Sequence, residues 1–328
     1  MRFENVPGRF VSLFAGVGGF DLGMERAGHK PIGQVEIDAD CRSVLKKHWP
    51  NVPKHDDVKT ARRWANEQGF KWDVDFVCAG FPCQDVSVAG SRAGLSGARS
   101  GLFFEAVTFA SYVEAKVVVL ENVPGLLTSN QGRDFGVVLS VLADAGFEDI
   151  EWRVLDSQFF GVPQRRRRLF IVASSGKHSR RAVLTELKSV CGDSSESGTE
   201  KQRIATGTPS AFTRSSFGGW KETKVGGTLC SRDYKDATTI VSFDTQFGSN
   251  ANVFEAISPT LKASQQPPSI SNKHVLRRLT PTECEKLQGF PENWTEGQPN
   301  TARYRQMGNA VTVNVIEWIG KRLMFDAF

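Results

Sequence analysis

Several protein classes are excluded by what this 328-residue sequence lacks. Its six cysteines (Cys41, Cys78, Cys83, Cys191, Cys230 and Cys284) show no CxxC spacing and no close histidine pairing, and there are only five histidines. Neither a zinc site nor a disulfide framework is expected, and the thiols read as the reduced ones of a cytosolic protein. Met1 to Phe10 carries Arg2, Glu4, Pro7 and Arg9 before a short apolar run, too little for a signal peptide or a membrane span, so a soluble protein is expected. Charge of one sign is not in large excess. The 41 Lys and Arg against 36 Asp and Glu leave a net +5, which favours an anionic partner only weakly. No internal repeat is visible.

What is present is a regular alternation of strand and helix patterns up to about residue 175. The expected strands are Arg9–Phe14, Ile32–Ile37, Val74–Ala79, Lys116–Leu120, Arg153–Leu155 and Leu169–Ala173. Between them lie helical stretches over Phe20–Ala27, Asp40–His48, Leu102–Tyr112 and Phe135–Ala145. Such alternation implies an α/β fold with a mostly parallel, doubly wound sheet. From about Ser174 to His274 the chain turns rich in Ser, Thr and Gly with scattered cations, yet keeps Phe212, Phe217, Trp220, Phe243, Phe247 and Phe254. That aromatic content argues for a second, smaller irregular domain rather than a linker. Apolar periodicity returns over Leu276–Phe290, and Ala310–Met324 reads as a final amphipathic helix.

Four local patterns carry chemistry. Gly80-Phe81-Pro82-Cys83-Gln84 holds a thiol on a stiff turn after a buried strand, where open α/β proteins place reactive groups. The loop Phe14-Ala15-Gly16-Val17-Gly18-Gly19 allows close backbone approach, and Glu36, about 20 residues on, can accept both ribose hydroxyls of an adenosine. The loop does not fit GxGxxG and lacks a phosphate-binding lysine, which disfavours a dinucleotide oxidoreductase or a triphosphatase. Glu121 ends an apolar strand, where a partly desolvated acid can protonate a ring nitrogen. In Gln164-Arg165-Arg166-Arg167-Arg168, strand alternation sends Arg166 and Arg168 to one side and Arg165 and Arg167 to the other. Each pattern alone has a plain structural reading: a buried thiol, a tight turn, a capping acid, a solvated charge run. Together they suggest one active site.

Taken in order, these segments resemble the DNA (cytosine-5) methyltransferases of prokaryotic and phage type, over residues 11–175 and 277–320. Val11 to Gly19 resembles the first cofactor block, Glu36 the ribose-binding acid, and Asp57 the acid contacting the adenine amine. Phe81-Pro82-Cys83-Gln84 resembles the catalytic loop, Glu121-Asn122-Val123 the acid block, and Gln164 to Arg168 the Gln-x-Arg-x-Arg pattern. Arg278-Leu279-Thr280-Pro281 through Gln288-Gly289-Phe290-Pro291, and Gln306-Met307-Gly308-Asn309-Ala310-Val311, resemble the last two blocks. Ala310 stands where many relatives have serine, and Ile37 where some have a tryptophan stacked on adenine.

The resemblance implies a Rossmann-like, S-adenosylmethionine-dependent methyltransferase fold. It implies methyl transfer to carbon 5 of cytosine in a specific double-stranded DNA sequence, with the base flipped out of the helix. Cys83 would attack carbon 6, Glu121 protonate ring nitrogen 3, and Arg166, with Arg168 beside it, hold the base carbonyl; the Phe81 carbonyl would accept from the exocyclic amine. The cofactor contacts it implies are Phe14, Gly16, Gly18, Gly19, Glu36, Ile37, Asp57, Pro82, Leu102, Asn309 and Ala310. Gln84, and Ser87 and Arg99 in a glycine-rich lid over residues 86–101, would meet DNA, as would the Thr-Leu pair that marks the recognition region, for which Thr260-Leu261 is favoured over Thr228-Leu229 as the nearer to Arg278. The expected division is residues 1–174 plus 303–328 for catalysis and cofactor, 175–274 for target recognition and 275–302 as a hinge. A monomer in the cytoplasm is expected, with a cognate restriction endonuclease as a possible partner. Two alternatives stay open. One is a tRNA cytosine-5 methyltransferase, although Ala211-Phe212-Thr213 lacks the cysteine of that branch's Cys-Phe-Thr. The other is a catalytically silent DNA-binding module, against which the intact Cys83, Glu121, Arg166 and Asn309 argue.

Overall fold

The structure, a computed structural model, describes residues 7–70, 73–82, 101–175, 183–184 and 279–323, and the backbone alone of short strands between 211 and 278. Among the described residues, seven strands form one sheet: β1 (Arg9–Leu13), β2 (Lys30–Val35), β3 (Lys54–His55), β4 (Phe76–Gly80), β5 (Val117–Asn122), β6 (Asp149–Asp156) and β7 (Arg167–Ser174). Their spatial order is β3-β2-β1-β4-β5-β7-β6. The β1–β2, β2–β3, β1–β4 and β4–β5 pairs are parallel, whereas β5–β7 is antiparallel. The apolar runs recognised in the sequence become strands buried on both faces, which is why they read as continuous rather than alternating. Phe10, Val11, Leu13, Val77, Ala79, Val119 and Leu120 are fully buried. Each such large side chain is worth about 1.5–3 kcal/mol in removal from water.

The helices covering the sheet start where local chemistry demands. Helix α1 (Gly19–Arg26) opens at Gly18, whose φ of 88° is left-handed, and a Cβ there would lie 2.3 Å from the Trp49 ring. Both conformation and space thus require glycine at that position. Helix α2 (Ala39–His48) is capped by Asp38, which accepts from the amides of Asp40 (2.8 Å) and Cys41 (3.3 Å), with Lys46, Lys47 and His48 in its last turn. The cap is worth about 1 kcal/mol, and the cations complement the helix dipole. Helices α3 (Ala61–Glu67), α4 (Gly101–Tyr112) and α5 (Arg133–Asp144) follow. Phe103, Val107 and Phe109 of α4 and Val138 and Leu142 of α5 enter one core cluster with β1, β4 and β5.

Further along, the described backbone forms two small antiparallel sheets. One pairs β8 (Ala211–Arg214) with β9 (Trp220–Thr223), and the other joins β10 (Ser242–Phe243), β11 (Ser269–Asn272) and β12 (Val275–Arg278). The periodic stretch Leu276–Phe290 resolves into β12 and helix α6 (Pro281–Leu287), separated by the Thr280–Glu283 capping box. Helix α7 (Asn300–Asn309) carried no expectation. The final helix α8 runs Val313–Gly320 rather than from Ala310. Ala310 is extended (φ −60°, ψ 143°) and closes α7 instead.

The chain separates into two compact units. The first comprises Met1–Leu155, Arg167–Ser189 and Val315–Phe328; the second comprises Asp156–Arg166 and Val190–Asn314. The short excursion Asp156–Arg166 belongs to the second unit. In the first, Glu151 on β6 accepts from the amides of Val183 and Leu184, and Arg153 donates to the Leu184 carbonyl, pinning the chain after β7.

Candidate active site

The strand order reverses between β1 and β4: from β1 the chain builds outward through β2 to β3, and from β4 through β5. In an open α/β sheet the crevice at the carboxyl ends of such a pair is the binding position. Here those ends are Leu13 and Gly80, with Leu13 in register with Ala79. The glycine loop leaves one and the Phe81-Pro82 turn the other.

At the first end, the loop is shaped by left-handed residues: Phe14 (φ 53°), Gly16 (57°) and Gly18 (88°). A phenylalanine in this region is strained by about 1–3 kcal/mol, which the surroundings must offset. Its side chain, like that of Leu102 at the start of α4, packs half-buried on the core cluster. Glu36, just past β2, is 9% exposed. Its Oε2 accepts from the Gly16 amide (2.7 Å) and its Oε1 from the Asp38 amide (2.8 Å). Burial pushes its pKa up, and these two amides and Arg42 oppose the rise. Arg42 Nη1 donates to the carbonyls of Glu36 and Ile37, both at 2.7 Å, fixing a turn on which Ile37 is 75% exposed. Asp57 caps the short 3-10 turn Val58–Thr60 by accepting from the Lys59 amide (2.9 Å). A carboxylate held by neutral amides keeps lone pairs for hydroxyl donors, and an exposed apolar side chain beside it offers a surface for a flat ring. The residues fit an adenosine-type ligand.

At the second end, β4–β5 pairing sets Glu121 opposite Gly80. A Cβ on Gly80 would approach Glu121 Oε2 to 3.5 Å, so the small residue leaves the carboxylate uncovered on that side. Arg168 Nε donates to Glu121 Oε1 at 3.0 Å, with side-chain exposures of 18% and 14%. Asn122 Nδ2 donates to the Phe81 carbonyl (3.1 Å), and its Oδ1 accepts from the Val123 amide (2.8 Å). Asn122 thus anchors the turn that leads into exposed Pro82 and on to Cys83. One lone pair of the Phe81 carbonyl, expected to receive the amine of the base, is already engaged by Asn122; the second is left for that role. Cys83, Gln84, Ser87, Arg99, Thr260 and Leu261 lie outside the described residues.

Arg168 stands beside Glu121, because β5 and β7 pair with Glu121 opposite Phe170. That register puts Arg168 on the diagonal, within reach of a long side chain on the same face. Arg166 precedes β7. In the second unit it is 2% exposed, and its Nη2 donates to the carbonyls of Gly308 (3.2 Å) and Ala310 (2.8 Å). Arg167 is exposed and Arg165 lies 4.0 Å from Asp156. Asn309 is exposed at the end of α7, and Ala310 beside it is buried.

Sequence reasoning passed over Asn122, Arg42 and the buried Asp21–Gln34 pair beneath the glycine loop. Asp21 Oδ1 accepts from Ser12 Oγ and Gln34 Nε2, both at 2.8 Å, and burial raises its pKa to about 6. A polar residue on each of three apolar elements was the signal available. Among the described residues no group of three or more His, Cys, Asp or Glu is placed to hold a metal, and no helix is long and apolar enough to cross a membrane.

The fold is a doubly wound α/β sheet whose candidate site, an amide-held carboxylate at one strand end and a guanidinium-held acid near the next, lies at the carboxyl edge. The sequence pattern of the C-5 cytosine-specific DNA methylase family matches residues 8–324, and the chain belongs to that family. It is 31% identical over 333 residues to the type II methyltransferase M2.BsuMI of Bacillus subtilis, covering 96% of this chain and 75% of that one. It is 30% identical over 335 residues to M.Eco47II of Escherichia coli, covering 96% and 78%. A solved DNA modification methyltransferase encoded within an E. coli prophage shares the fold, with a TM-score of 0.63, 22% identity, and coverage of 96% and 98%. The protein is a DNA cytosine-5 methyltransferase, of a family that depends on S-adenosylmethionine.

Proposed function

We propose that Cys83 is the nucleophile, Glu121 the acid and Arg168 the guanidinium that orients Glu121 and meets the carbonyl of the flipped cytosine. The observation that carries this is the Glu121–Arg168 pair at 3.0 Å, with Glu121 in register with Gly80, three residues before Cys83. Carbon 5 of cytosine is a poor nucleophile. Addition of the Cys83 thiolate to carbon 6, with protonation of ring nitrogen 3 by Glu121, makes carbon 5 electron-rich. Arg168 keeps the carboxyl aimed and balances charge that develops on the ring. S-adenosylmethionine, when bound, supplies the methyl group. Loss of the carbon 5 proton then releases Cys83. Phe81, held by Asn122, offers its carbonyl to the exocyclic amine.

Glu36 would hold the ribose hydroxyls, Ile37 and Asp57 the adenine, and Phe14, Gly16, Gly18, Gly19, Pro82 and Leu102 the rest of the cofactor. Asn309 and Ala310 are carried over as cofactor contacts from the family resemblance. Gln84, Ser87 and Arg99 would close over DNA, and residues 175–274, with Thr260-Leu261, would read the target. Type II relatives support a cognate endonuclease as a partner; a monomer acting in the cytoplasm completes the reading.

The deciding experiment is bisulfite sequencing of DNA from cells expressing the protein, paired with duplexes carrying 5-fluorocytosine at the methylated position. A single sequence context protected from conversion, and a covalent adduct lost in Cys83→Ser, are expected. Unprotected DNA together with methylated tRNA would overturn the DNA assignment, and an undiminished adduct in Cys83→Ser would overturn the nucleophile.

A further inference from the structure

A cation is disfavoured in the first turn of a helix, at the positive end of the dipole, and helix α2 keeps to that rule with one exception. Asp40 stands in its first turn and Lys46, Lys47 and His48 in its last. Arg42, the fourth residue, brings a cation to the opposite end. Its guanidinium reaches back to the turn between β2 and α2, where Nη1 donates to the carbonyls of Glu36 and Ile37, each at 2.7 Å. Two charge-assisted bonds to neighbouring carbonyls are a physical reason for the exception.

The same turn is tied on both sides of that contact. The Glu36 amide donates to the His55 carbonyl on β3 (2.9 Å), and the Asp38 amide to Glu36 Oε1 (2.8 Å). Asp38 caps α2, and its carbonyl accepts from the Arg42 amide (2.9 Å), so the arginine's backbone is joined to the loop that its side chain holds. Within this frame the two side chains part company. Glu36 is 9% exposed, with Oε2 on the Gly16 amide, whereas Ile37 is 75% exposed, more than any other large apolar residue among those described. An apolar side chain held out on a fixed turn has little ordering left to lose when a ligand covers it. Charge acts on Glu36 as well: burial raises its pKa, the Asp38 and Gly16 amides oppose the rise, the Asp38 charge adds to it and the Arg42 charge counters it. All of these residues lie in the first compact unit.

We infer that Arg42 is a positioning residue for the cofactor, holding the Glu36-Ile37 turn in the shape that sets the carboxylate for the ribose and the Ile37 side chain for the adenine. The inference rests on the reading of Glu36 and Ile37 as nucleoside contacts. A lysine at 42 keeps the charge but loses the planar, extended guanidinium that reaches both carbonyls.

The test uses the full chain with Arg42→Met, Arg42→Lys, Glu36→Gln and the double variant of Arg42→Met with Glu36→Gln. Binding of S-adenosylhomocysteine without DNA is measured by calorimetry across the acid and neutral pH range, and kcat and the cofactor KM at saturating DNA by methyl transfer. Arg42→Met is expected to weaken binding about tenfold and Arg42→Lys about threefold, with KM rising in parallel and kcat staying within about threefold. With the countering charge gone, the affinity of Arg42→Met should begin to fall at a higher pH than the parent's, while Arg42→Lys should follow the parent. In the Glu36→Gln background, Arg42→Met should cost about threefold or less, because residues acting through one group are not additive. Unchanged affinity and pH profile in both Arg42 variants, even with a lowered melting temperature, would leave Arg42 a scaffold residue. A full tenfold loss in the Glu36→Gln background would detach it from Glu36; either result overturns the inference. If Arg42→Met does not fold, Arg42→Lys decides by its affinity and KM. Glu36→Gln separates the two ways of failing. Weakened binding in Glu36→Gln but not in the Arg42 variants removes Arg42's role alone, whereas unchanged binding in all of them removes the nucleoside reading of the corner as well.

Discussion

Glu36 and Glu121 both stand at the carboxyl edge of the same sheet, and their surroundings differ in kind. Glu36 is held by two backbone amides with the cation of Arg42 turned to nearby carbonyls, whereas Glu121 is held directly by the Arg168 guanidinium. Neutral amides fix a carboxylate's position and leave its remaining lone pairs for hydroxyl donors. A guanidinium also fixes a positive charge beside the acid. On the proposed reading, the same residue type serves as a receptor at one corner and a reagent at the other because of its neighbours, not because of its place at a strand end.

The sharpest way to test the reagent corner lies three residues past Gly80. Cys83→Ser should reduce methyl transfer to background and leave cofactor binding nearly unchanged, since the thiolate serves only the covalent step. Turnover above a tenth of the parent's would remove Cys83 from that role. Glu121→Gln keeps shape and a donor but cannot pass a proton, so kcat should fall by about 10² to 10⁴. An unchanged rate across the pH range would make Glu121 structural and end the contrast between the two corners.

Glu36→Gln should do the opposite. Cofactor KM should rise by about 10- to 100-fold, the usual loss of hydrogen bonds to a charged group, with kcat at saturation little changed. Because the pKa of Glu36 is raised, the parent's cofactor affinity should weaken as pH falls through the acid range, and Glu36→Gln should lack that slope. A kcat loss as large as that of Glu121→Gln would show that the corners are not separable.

Asp21 sharpens the comparison by its effect on stability. Its carboxyl keeps a proton in the folded state to about pH 6, against 3.8 when unfolded. Its contribution is therefore fully present below 3.8 and lost as pH rises through 6. The shift corresponds to about 3 kcal/mol as an upper figure. Asp21→Asn should be more stable than the parent at pH 8 and differ least near pH 4, as read from denaturant midpoints. Equal midpoints at both pH values would mean that Asp21 does not titrate differently on folding.

Much of the active edge was legible because it is built from local signals. The continuous apolar runs located β1, β4, β5 and β7, the glycine loop required left-handed backbone, and Glu36 and Glu121 came directly after their apolar runs. Lys54–His55 is too short to show a period, so β3 escaped notice. Helix α7, with Asn300, Thr301, Arg303, Arg305 and Asn309 among its ten residues, is too polar to reveal its buried face over Ala302, Gln306 and Met307. The roles of the arginines were not legible. Alternation placed Arg166 and Arg168 on one side of a strand, but parity says nothing about which one a neighbouring strand brings to Glu121.

The sequence by itself determined the order of elements, the family and the identities of the chemical groups, because secondary-structure periods and strand-end loops are short-range properties. The tertiary structure alone decided the pairing of β5 with β7, and hence that Arg168 meets Glu121 while Arg166 closes helix α7. It also decided that Gly16 and Asp38 amides hold Glu36, and that Asn122 anchors Phe81. Those contacts join residues up to 144 positions apart. Their partners are set by register and by the burial of unpaired polar groups, which only the assembled sheet and its packed helices can fix.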